Sequence, residues 1–493
     1  MFSATAASKR FARLQRDQEI LLWQYATSRT EGEKQKTGLR LMGLKLRQSL
    51  MGAFYGAVLA VDRTNDDDWD SADLRRLRDA IIHARALGPA EAVKRALLMR
   101  ACMEKWAEAK KQNDFTVVSG SLQELVDSIK KEARYKAAAM GRDSPYEALV
   151  GIKTPGFSMK NFETWAGLLE GFVRQSLNVL PKGEPPSPLW MMKKTDQQWL
   201  QNNFLRRIGY DFRRGAVKES PHPICFGTHD YVPIGMRYNE LDFGDLLRVV
   251  AHEGGHARYR QSVPAEHKDR LVGGIAGTAM DEAMALLIEN HVGRSRPMSY
   301  FMADFIRVTM PEHDDPGLTG QSLFQHLNRI SDLPIRTRAD EVRYRIEKAL
   351  IDGDMKVSEI PAYWAEEYEK LTGMKIESDN EGPLQDIHWF GGEFGWFPNY
   401  LIGQLAAAQL FETLMEDHPE AVRRMQKGDV RLITGWLQEK IYSHGARYTS
   451  FELVEKATGR TLDTTAWMKH IVGRYLRPLA VPERRLLPPP GPR

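Results

Sequence analysis

The sequence predicts a mostly α-helical protein in which a small β hairpin or sheet lies beside one helix with paired histidines. Apolar residues recur every three or four positions across residues 39–61 and 74–106, which is the spacing of a helix face that packs on a core. Residues 220–238 differ, because short β-prone segments there alternate with prolines and glycines. The 493 residues, of which 42% are hydrophobic, are enough for a large core.

The composition argues against several classes of protein. The net charge of +4 arises from 69 basic and 65 acidic residues, an excess too small to indicate nucleic-acid binding. The only cysteines, Cys102 and Cys225, are far apart, which argues against a disulfide scaffold and for a reducing compartment. Residues 51–61, taken as the longest apolar stretch, are shorter than the about 20 residues of a membrane span. Basic residues in 1–16 continue into a helix rather than resembling a targeting peptide. We therefore expect a cytoplasmic protein that binds no membrane.

Caps and helix-breaking residues predict where the helices begin and end. Asp66–Asp68 is typical of a loop and helix cap, and a metal site there is not expected. Asn239 or Asp242 should cap the helix that follows the β-prone segment. Proline and glycine predict breaks between the other helices. The predicted helices and breaks are a helix at 119–140, a turn at 155–156, a helix at 159–180, a loop at 181–188, a helix at 195–209, a further mostly helical part after 282 and an extended tail at 482–493.

The motif His252-Glu253-Gly254-Gly255-His256 predicts a metal site. Residues four apart lie on one face of a helix, so His252 and His256 can bind one Zn²⁺ while Glu253 acts as general base toward the attacking water. A chance match on a polar helix is the competing interpretation. The two glycines argue against chance, because each costs about 1 kcal/mol in a helix relative to alanine. They indicate that a substrate strand or a neighbouring helix approaches the backbone closely.

A catalytic zinc takes a third protein ligand and keeps one position open. A third histidine at the spacing used by one class of metalloprotease is excluded, because Tyr259 and Ser262 occupy the required glycine and histidine positions. A carboxylate further along the chain is the other common solution, and the spacing alone does not choose among Glu266, Asp281, Glu282 and Glu289. A helix over 278–292 would present Glu282 and Glu289 on one side, because seven residues make two turns.

Four sequence blocks in order resemble the Taq-type metallocarboxypeptidase family. Residues 289–295, Glu-Asn-His-Val-Gly-Arg-Ser, resemble the run that follows the third-ligand motif of that family, and this register places the ligand on Glu282. Residues 335–340 resemble the block Ile-Arg-x-x-Ala-Asp, and residues 382–389 resemble Gly-x-x-Gln-Asp-x-His-Trp. Residues 394–410 resemble the aromatic and glycine segment after it. The similarity extends over residues 110–475.

The resemblance implies a saddle-like helical body with a deep active-site groove, of the gluzincin-like type. It implies an enzyme, often a homodimer, that removes C-terminal residues from peptides with one Zn²⁺ per chain, Co²⁺ being an alternative ion. Residues 1–481 would form a single domain, with an N-terminal helical part at 1–110 and a catalytic part at 111–481. We expect a peptide or small amide substrate.

Residues outside the metal site are candidates for binding the substrate, and the family motif indicates Arg336 as one of them. Arg336 would bind the terminal carboxylate of the substrate as a bidentate partner, although an ion pair with Asp340 one turn away is the competing interpretation. His222 would contact the substrate. His388 and Tyr400 would donate hydrogen bonds to the oxyanion formed at the substrate carbonyl, where such donors act most strongly in the transition state. Either could instead be a core side chain.

Two departures from the family concern the substrate. A charged Asp-x-Arg-x-Thr block falls on Tyr231, Pro233 and Gly235, so its charges are lost. Asp281 replaces a histidine before the ligand glutamate, and Met284 replaces a glutamine after it. The alternatives are therefore an amidase that acts on a small N-acyl amino acid or specialised metabolite, and an inactive binding protein, which the retained base disfavours.

Overall fold

The structure, a computed structural model, describes residues 3–28, 30–60, 67–179, 190–313, 315–328 and 332–477, with the backbone alone at 31, 178–179 and 332–338. Within these ranges the protein is mostly helical and contains one three-stranded sheet, so the predicted fold class is confirmed. The predicted loop at 181–188 and the tail at 482–493 lie outside the described residues.

The α-helices and strands are numbered in chain order. The helices are α1 (Ala4–Ala26), α2 (Glu31–Phe54), α3 (Trp69–Arg85), α4 (Pro89–Gln112), α5 (Thr116–Met140), α6 (Pro145–Lys153), α7 (Met159–Val179), α8 (Lys194–Ile208), α9 (Phe243–Ser262), α10 (Thr278–Leu286), α11 (Arg296–Thr309), α12 (Gly320–Leu327), α13 (Asp332–Ile351), α14 (Ile360–Thr372), α15 (Phe397–Asp417), α16 (Ala421–Met425), α17 (Arg431–Lys440), α18 (Ser450–Thr458) and α19 (Thr465–Ile471). π-helical turns follow α10 at Leu287–Gly293 and α19 at Val472–Leu476. The strands are β1 (Val217–Glu219), β2 (Ile224–Cys225) and β3 (Ile234–Met236).

The chain divides into two compact units, each built from three segments. Unit 1 comprises Met1–Leu14, Gly38–Asn178 and Leu333–Ile402, and unit 2 comprises Gln15–Thr37, Val179–Asp332 and Gly403–Arg493. The single domain over residues 1–481 stays a prediction.

Unit 1 is organised around α5, which packs against α4 and α6. One face of α5 is buried, including Leu122, Val126 and Ile129, at the spacing expected for an amphipathic helix. The helix ends at Gly141, whose φ of 64° is the left-handed conformation that glycine adopts without strain. Asp68 caps α3 by accepting from the backbone N–H groups of Asp70 and Ser71, as the acidic run predicts.

Unit 2 contains the His-Glu-x-x-His helix, α9, which packs against α8 and α10. Asp242, one of the two predicted caps, accepts a hydrogen bond from the backbone N–H of Gly244. The sheet has the order β1-β3-β2, in which β3 pairs parallel with β1 and antiparallel with β2. Both β2 and β3 contact α9. The small sheet beside the histidine helix is thus present as predicted.

The two glycines of the motif lie where neighbouring helices approach α9 most closely. A Cβ atom at Gly254 would lie 2.7 Å from the Cδ1 atom of Ile208 on α8. A Cβ atom at Gly255 would lie 2.7 Å from both the Cα atom of Ala285 and the carbonyl oxygen of Met284 on α10. Of the two predicted reasons for these glycines, close helix packing is therefore the one that the structure shows.

One apolar segment was missed by the sequence analysis. Leu271–Gly293 has the length and composition of a membrane span, with a mean hydropathy of 1.5. It is longer than residues 51–61. In the protein, 83% of its apolar window is buried. A buried core helix meets the same criterion, and this segment includes α10, which packs directly on α9.

Substitution of Gly255 by alanine tests the close packing of α9 on α10. The added methyl group would contact backbone atoms, so the helices must separate, and we expect a loss of about 1 to 3 kcal/mol in the free energy of unfolding. Gly435→Ala in α17 is the matched control, because no atom lies within 4 Å of its Cβ position. That variant should gain up to about 1 kcal/mol from helix propensity. Denaturant titration measures both, and equal effects of the two substitutions would contradict the packing.

Candidate active site

Three side chains of unit 2 converge as a metal site would require. The Nε2 atoms of His252 and His256 each lie 3.9 Å from the same oxygen, Oε2 of Glu282. The three ligand atoms all lie within 4.8 Å of one another. A second group of the same kind, Asp196, Glu312 and His313, lies among less buried residues of the described chain.

The outer nitrogen of each histidine faces a second carboxylate. The Nδ1 atom of His252 lies 2.9 Å from Oε2 of Glu289, and Nδ1 of His256 lies 3.1 Å from Oδ2 of Asp281. The contact at His252 has hydrogen-bond geometry, whereas the contact at His256 is an ion pair. A carboxylate at either position favours a proton on Nδ1 and leaves the Nε2 lone pair facing Glu282. Three electron-rich atoms then face one another, an arrangement that a proton or a metal ion stabilises. Two imidazoles and one carboxylate are the donor set of many divalent transition-metal sites.

Asp281 is itself held by a charged network that includes α1. Arg260 donates to both oxygens of Asp281, with Nη2 2.7 Å from Oδ2 and Nε 3.2 Å from Oδ1. The Nη1 atom of the same arginine lies 3.0 Å from Oε2 of Glu19, which also accepts from the backbone N–H of Gly227. Burial acts against it, but Arg260 and His256 hold the pKa of Asp281 below its usual range. Asp281 therefore stays a carboxylate opposite His256 at neutral pH.

The pKa of His256 depends on the carboxylates of Asp281 and Glu282. Burial disfavours its charged form, but Asp281 and Glu282 outweigh burial and raise its pKa to about 9. A metal ion that binds at Nε2 must displace this proton, so metal binding is linked to proton release.

Glu289 lies on the π-helical turn after α10 and orients His252. Arg294, which is 1% exposed, places its Nη1 atom 3.3 Å from Oε1 of Glu289 and donates through Nε to the carbonyl of Leu327. The sequence suggested Asp281 and Glu289 as alternative metal ligands, and the structure places both at the Nδ1 side of the histidines, away from Glu282. The seven-residue spacing of Glu282 and Glu289 was the sequence signal that placed both on one side of a helix. No such signal predicted the pairing of Arg260 with Glu19, because the two are 241 residues apart.

Glu253 follows His252 on α9 and is 6% exposed. Burial raises its pKa, while the charges of His252 and His256 act in the opposite direction. A carboxylate with a raised pKa accepts a proton more readily, which suits the predicted general base.

The predicted substrate residues lie at several places in the chain. His222 is exposed just before β2, with Nδ1 2.7 Å from the carbonyl oxygen of Pro223. Arg336 lies on α13, but its side chain and the alternative ion pair with Asp340 are outside the described residues. Asp340 itself lies 3.2 Å from Nη1 of Arg343. The roles of His222 and Arg336 stay predictions.

His388 and Tyr400 lie together in unit 1, with ring centroids 6.4 Å apart. Nδ1 of His388 lies 2.5 Å from Oδ1 of Asp386, whose oxygen also accepts from the backbone N–H of His388. Burial opposes the charged form, but Asp386 raises the pKa of His388. His388 is therefore held with Nδ1 on Asp386, which leaves Nε2–H as a donor.

Gly235, which falls on the uncharged threonine position of the Asp-x-Arg-x-Thr block, lies at a close approach between two strands. A Cβ atom there would lie 2.4 Å from Oγ of Ser220 and 2.7 Å from Cγ1 of Ile224. Gly235 pairs in β3 with Ile224 on β2, so a longer side chain would displace the neighbouring strand. Pro233 is buried and Tyr231 is exposed.

The helical fold and this site together define a class of protein. A His-Glu-x-x-His helix, a carboxylate from the next helix and a buried glutamate beside the first histidine are the parts of a metallopeptidase.

Comparisons with known proteins give the family. The family model for carboxypeptidase Taq (M32) metallopeptidase matches residues 3–475, and the chain belongs to this family. Carboxypeptidase 1 of Bacillus subtilis (strain 168) is 30% identical over 386 residues, which cover 75% of this chain and 76% of that protein. Thermostable carboxypeptidase 1 of Thermus thermophilus is 27% identical over 458 residues, which cover 88% of this chain and 89% of that protein.

Solved structures agree with the fold. The M32 carboxypeptidase from Deinococcus radiodurans R1 has a TM-score of 0.87 at 24% identity, over 97% of this chain and 98% of that one. Metallocarboxypeptidase 1 of Trypanosoma cruzi has a TM-score of 0.83 at 26% identity, over 96% of this chain and 98% of that one. The resemblance seen in the sequence is confirmed: the protein is a metallocarboxypeptidase that uses a divalent metal and acts on peptides.

Asp281→Asn tests the role of the carboxylate behind His256. The variant keeps the size of the side chain but loses the charge that orients the imidazole, so we expect metal affinity to fall by about 10- to 100-fold with the fold retained. Asp245→Asn is the matched control, because Asp245 also forms ion pairs, with Arg237 and Arg248, near the start of α9. Competition with a chelator measures the affinity. Equal metal affinity in both variants would contradict the orienting role.

Proposed function

We propose that the metal is zinc, one per chain, bound by His252, His256 and Glu282. The observation that supports this most directly is the shared approach of both Nε2 atoms to one oxygen of Glu282, at 3.9 Å each. Two histidines and one glutamate with an open position form a common catalytic zinc site. Co²⁺ accepts the same donors and is the expected substitute.

The chain supplies the proton transfers of peptide hydrolysis. A bound zinc ion would contribute Lewis acidity toward water and the scissile carbonyl. Glu253 takes the proton of the attacking water and delivers it to the leaving amine, for which its burial and raised pKa prepare it. Asp281 and Glu289 keep the two imidazoles in the orientation that presents Nε2.

His388 and Tyr400 are proposed to stabilise the oxyanion formed at the scissile carbonyl. The carboxylate of Asp386 fixes Nδ1 of His388 and favours the protonated ring, so Nε2–H is available to donate. Loss of one donor to an oxyanion typically lowers turnover by about 10²- to 10³-fold. The assignment of His388 rests on the motif at residues 382–389, and that of Tyr400 on the aromatic segment at residues 394–410.

Arg336 is proposed to bind the terminal carboxylate of the peptide, and His222 is proposed to contact the substrate. A guanidinium binds a carboxylate through two parallel hydrogen bonds, which a peptide with a blocked end cannot accept in the same way. Both assignments rest on matches to family motifs. A cytoplasmic location and a homodimer likewise stay predictions.

Peptides that differ only at the C-terminus test the proposed recognition. Wild-type protein should cleave a peptide with a free terminal acid much faster than its amide. Arg336→Ala should lower kcat/KM on the free acid, which corresponds to a loss of about 2 to 4 kcal/mol of transition-state stabilisation from a desolvated charged hydrogen bond. The value for the amide should change little. Glu253→Gln is the control for contaminating peptidases and should lose activity on both peptides while retaining the metal.

Mass spectrometry of the products distinguishes the alternatives. Ladders from the C-terminus support the proposal. Equal cleavage of acid and amide, or internal cleavage of peptides with blocked ends, would contradict the role of Arg336. Cleavage only of small N-acyl amino acids would favour the amidase.

A further inference from the structure

Unit 1 contains a cavity of about 160 Å³ whose wall includes several cationic side chains. It lies among helices α2 to α6 and residues 392–394. Four cationic side chains and two carboxylates line it, namely Lys45, Arg95, Lys136, Lys153, Glu132 and Glu393. The metal site of unit 2 uses none of these residues.

The two carboxylates are already shared among three of the cations. Glu132 accepts from Nη1 of Arg95 at 2.8 Å and from Nζ of Lys136 at 2.5 Å. Glu393 accepts from Nζ of Lys153 at 2.8 Å. Lys45 forms no ion pair with any residue that the structure describes. The wall thus carries an excess of two positive charges.

Arg95, which lines the cavity, has one donor nitrogen without a hydrogen-bond partner among the described residues. Its Nη1 atom is bonded to Glu132 and its Nε atom to Oγ of Ser128 at 2.8 Å, which fixes the plane of the guanidinium. Its Nη2 atom is buried and has no hydrogen-bond partner among the described residues. Arg95 itself is only 7% exposed. An unbonded N–H on a fixed and buried guanidinium is costly unless a ligand accepts from it.

Burial lowers the pKa of Lys45 and of Lys136 in the cavity wall. Glu132 raises the pKa of both lysines and Glu393 also raises that of Lys45, but these carboxylates do not offset burial, and Lys153 and Arg95 act in the same direction as burial. The charge of Lys136, followed by burial, lowers the pKa of His83, so that its ring is neutral at pH 7. An anion in the cavity would stabilise the charged form of both lysines.

We propose that this cavity binds a small dianion that carries a phosphate group, either inorganic phosphate or a phosphomonoester. The charge of a dianion equals the excess on the wall, whereas a single carboxylate would leave one cation uncompensated. A guanidinium with a free N–H and a lysine ammonium are typical phosphate donors. The ligand would bind in unit 1 independently of the peptide substrate.

Calorimetric titration of the full-length, metal-loaded protein with inorganic phosphate tests the proposal, at an ionic strength held constant with chloride. We expect saturable binding of one phosphate per chain, weakened at least tenfold in Lys45→Met. Lys105→Met is the matched control, because Lys105 is an exposed lysine of α4 paired with Glu108, and its affinity should stay within twofold of wild type. Phosphate that binds at the metal instead would show the same affinity in wild type and in both variants. Equal affinity in the three proteins would therefore overturn the proposal.

Thermal unfolding gives a second readout that does not depend on the heat of binding. In chloride, Lys45→Met should be at least as stable as wild type, because an uncompensated cation is removed. Phosphate should raise the Tm of wild type and of Lys105→Met, but not that of Lys45→Met. An equal rise with chloride alone would overturn the proposal.

Competition with glycerol 3-phosphate identifies the source of the phosphate group. If glycerol 3-phosphate has a lower dissociation constant than inorganic phosphate in this competition, a phosphomonoester is the ligand. Weaker displacement would identify free phosphate. If the affinity of neither compound changes in Lys45→Met, the proposed phosphate site in this cavity is contradicted.

Discussion

The close contact between α9 and α10 is the constraint on which the active site depends. At Gly255 the backbone of α10 approaches to within 2.7 Å of the Cβ position. On the other side, a Cβ atom at Gly403 of α15 would lie 2.9 Å from Cβ of Glu282. Glycine on both neighbours allows α10 to lie between them with no side chain in the way. This packing holds the backbone of Glu282 opposite His252 and His256, and larger residues would move the carboxylate out of reach.

Buried carboxylates outnumber arginines around the metal site. Four buried carboxylates surround the histidines, namely Glu253, Asp281, Glu282 and Glu289. Arg260 and Arg294 supply two positive charges from within the same unit. Burial of an uncompensated charge is strongly unfavourable, so this deficit of positive charge favours a divalent metal or bound protons, such as the proton that the raised pKa of His256 retains. The same carboxylates that create this deficit also orient the imidazoles, which links metal affinity to ligand geometry.

The sequence predicted local features well because they depend on nearby residues. The caps at Asp68 and Asp242 and the need for glycine in the motif follow from backbone hydrogen bonding and helix packing, which spacing reveals. The roles of Asp281, Glu282 and Glu289 depend on the rotation of α10 and on its π-helical turn, which periodicity does not specify. Residues far apart in sequence, such as Glu19 and Arg260, meet only in the folded unit. The interleaved segments of the two units are hidden from sequence reasoning for the same reason.

The metal content of the purified protein is the most direct test of the account. Elemental analysis should find close to one zinc ion per chain in wild type, and Glu282→Ala should lose most of it, because only two ligands would remain. Glu312→Ala, which alters the second group of potential ligands at Asp196 and His313, should retain the metal. Full metal content in Glu282→Ala, or its loss in Glu312→Ala, would contradict the assignment of the site to His252, His256 and Glu282.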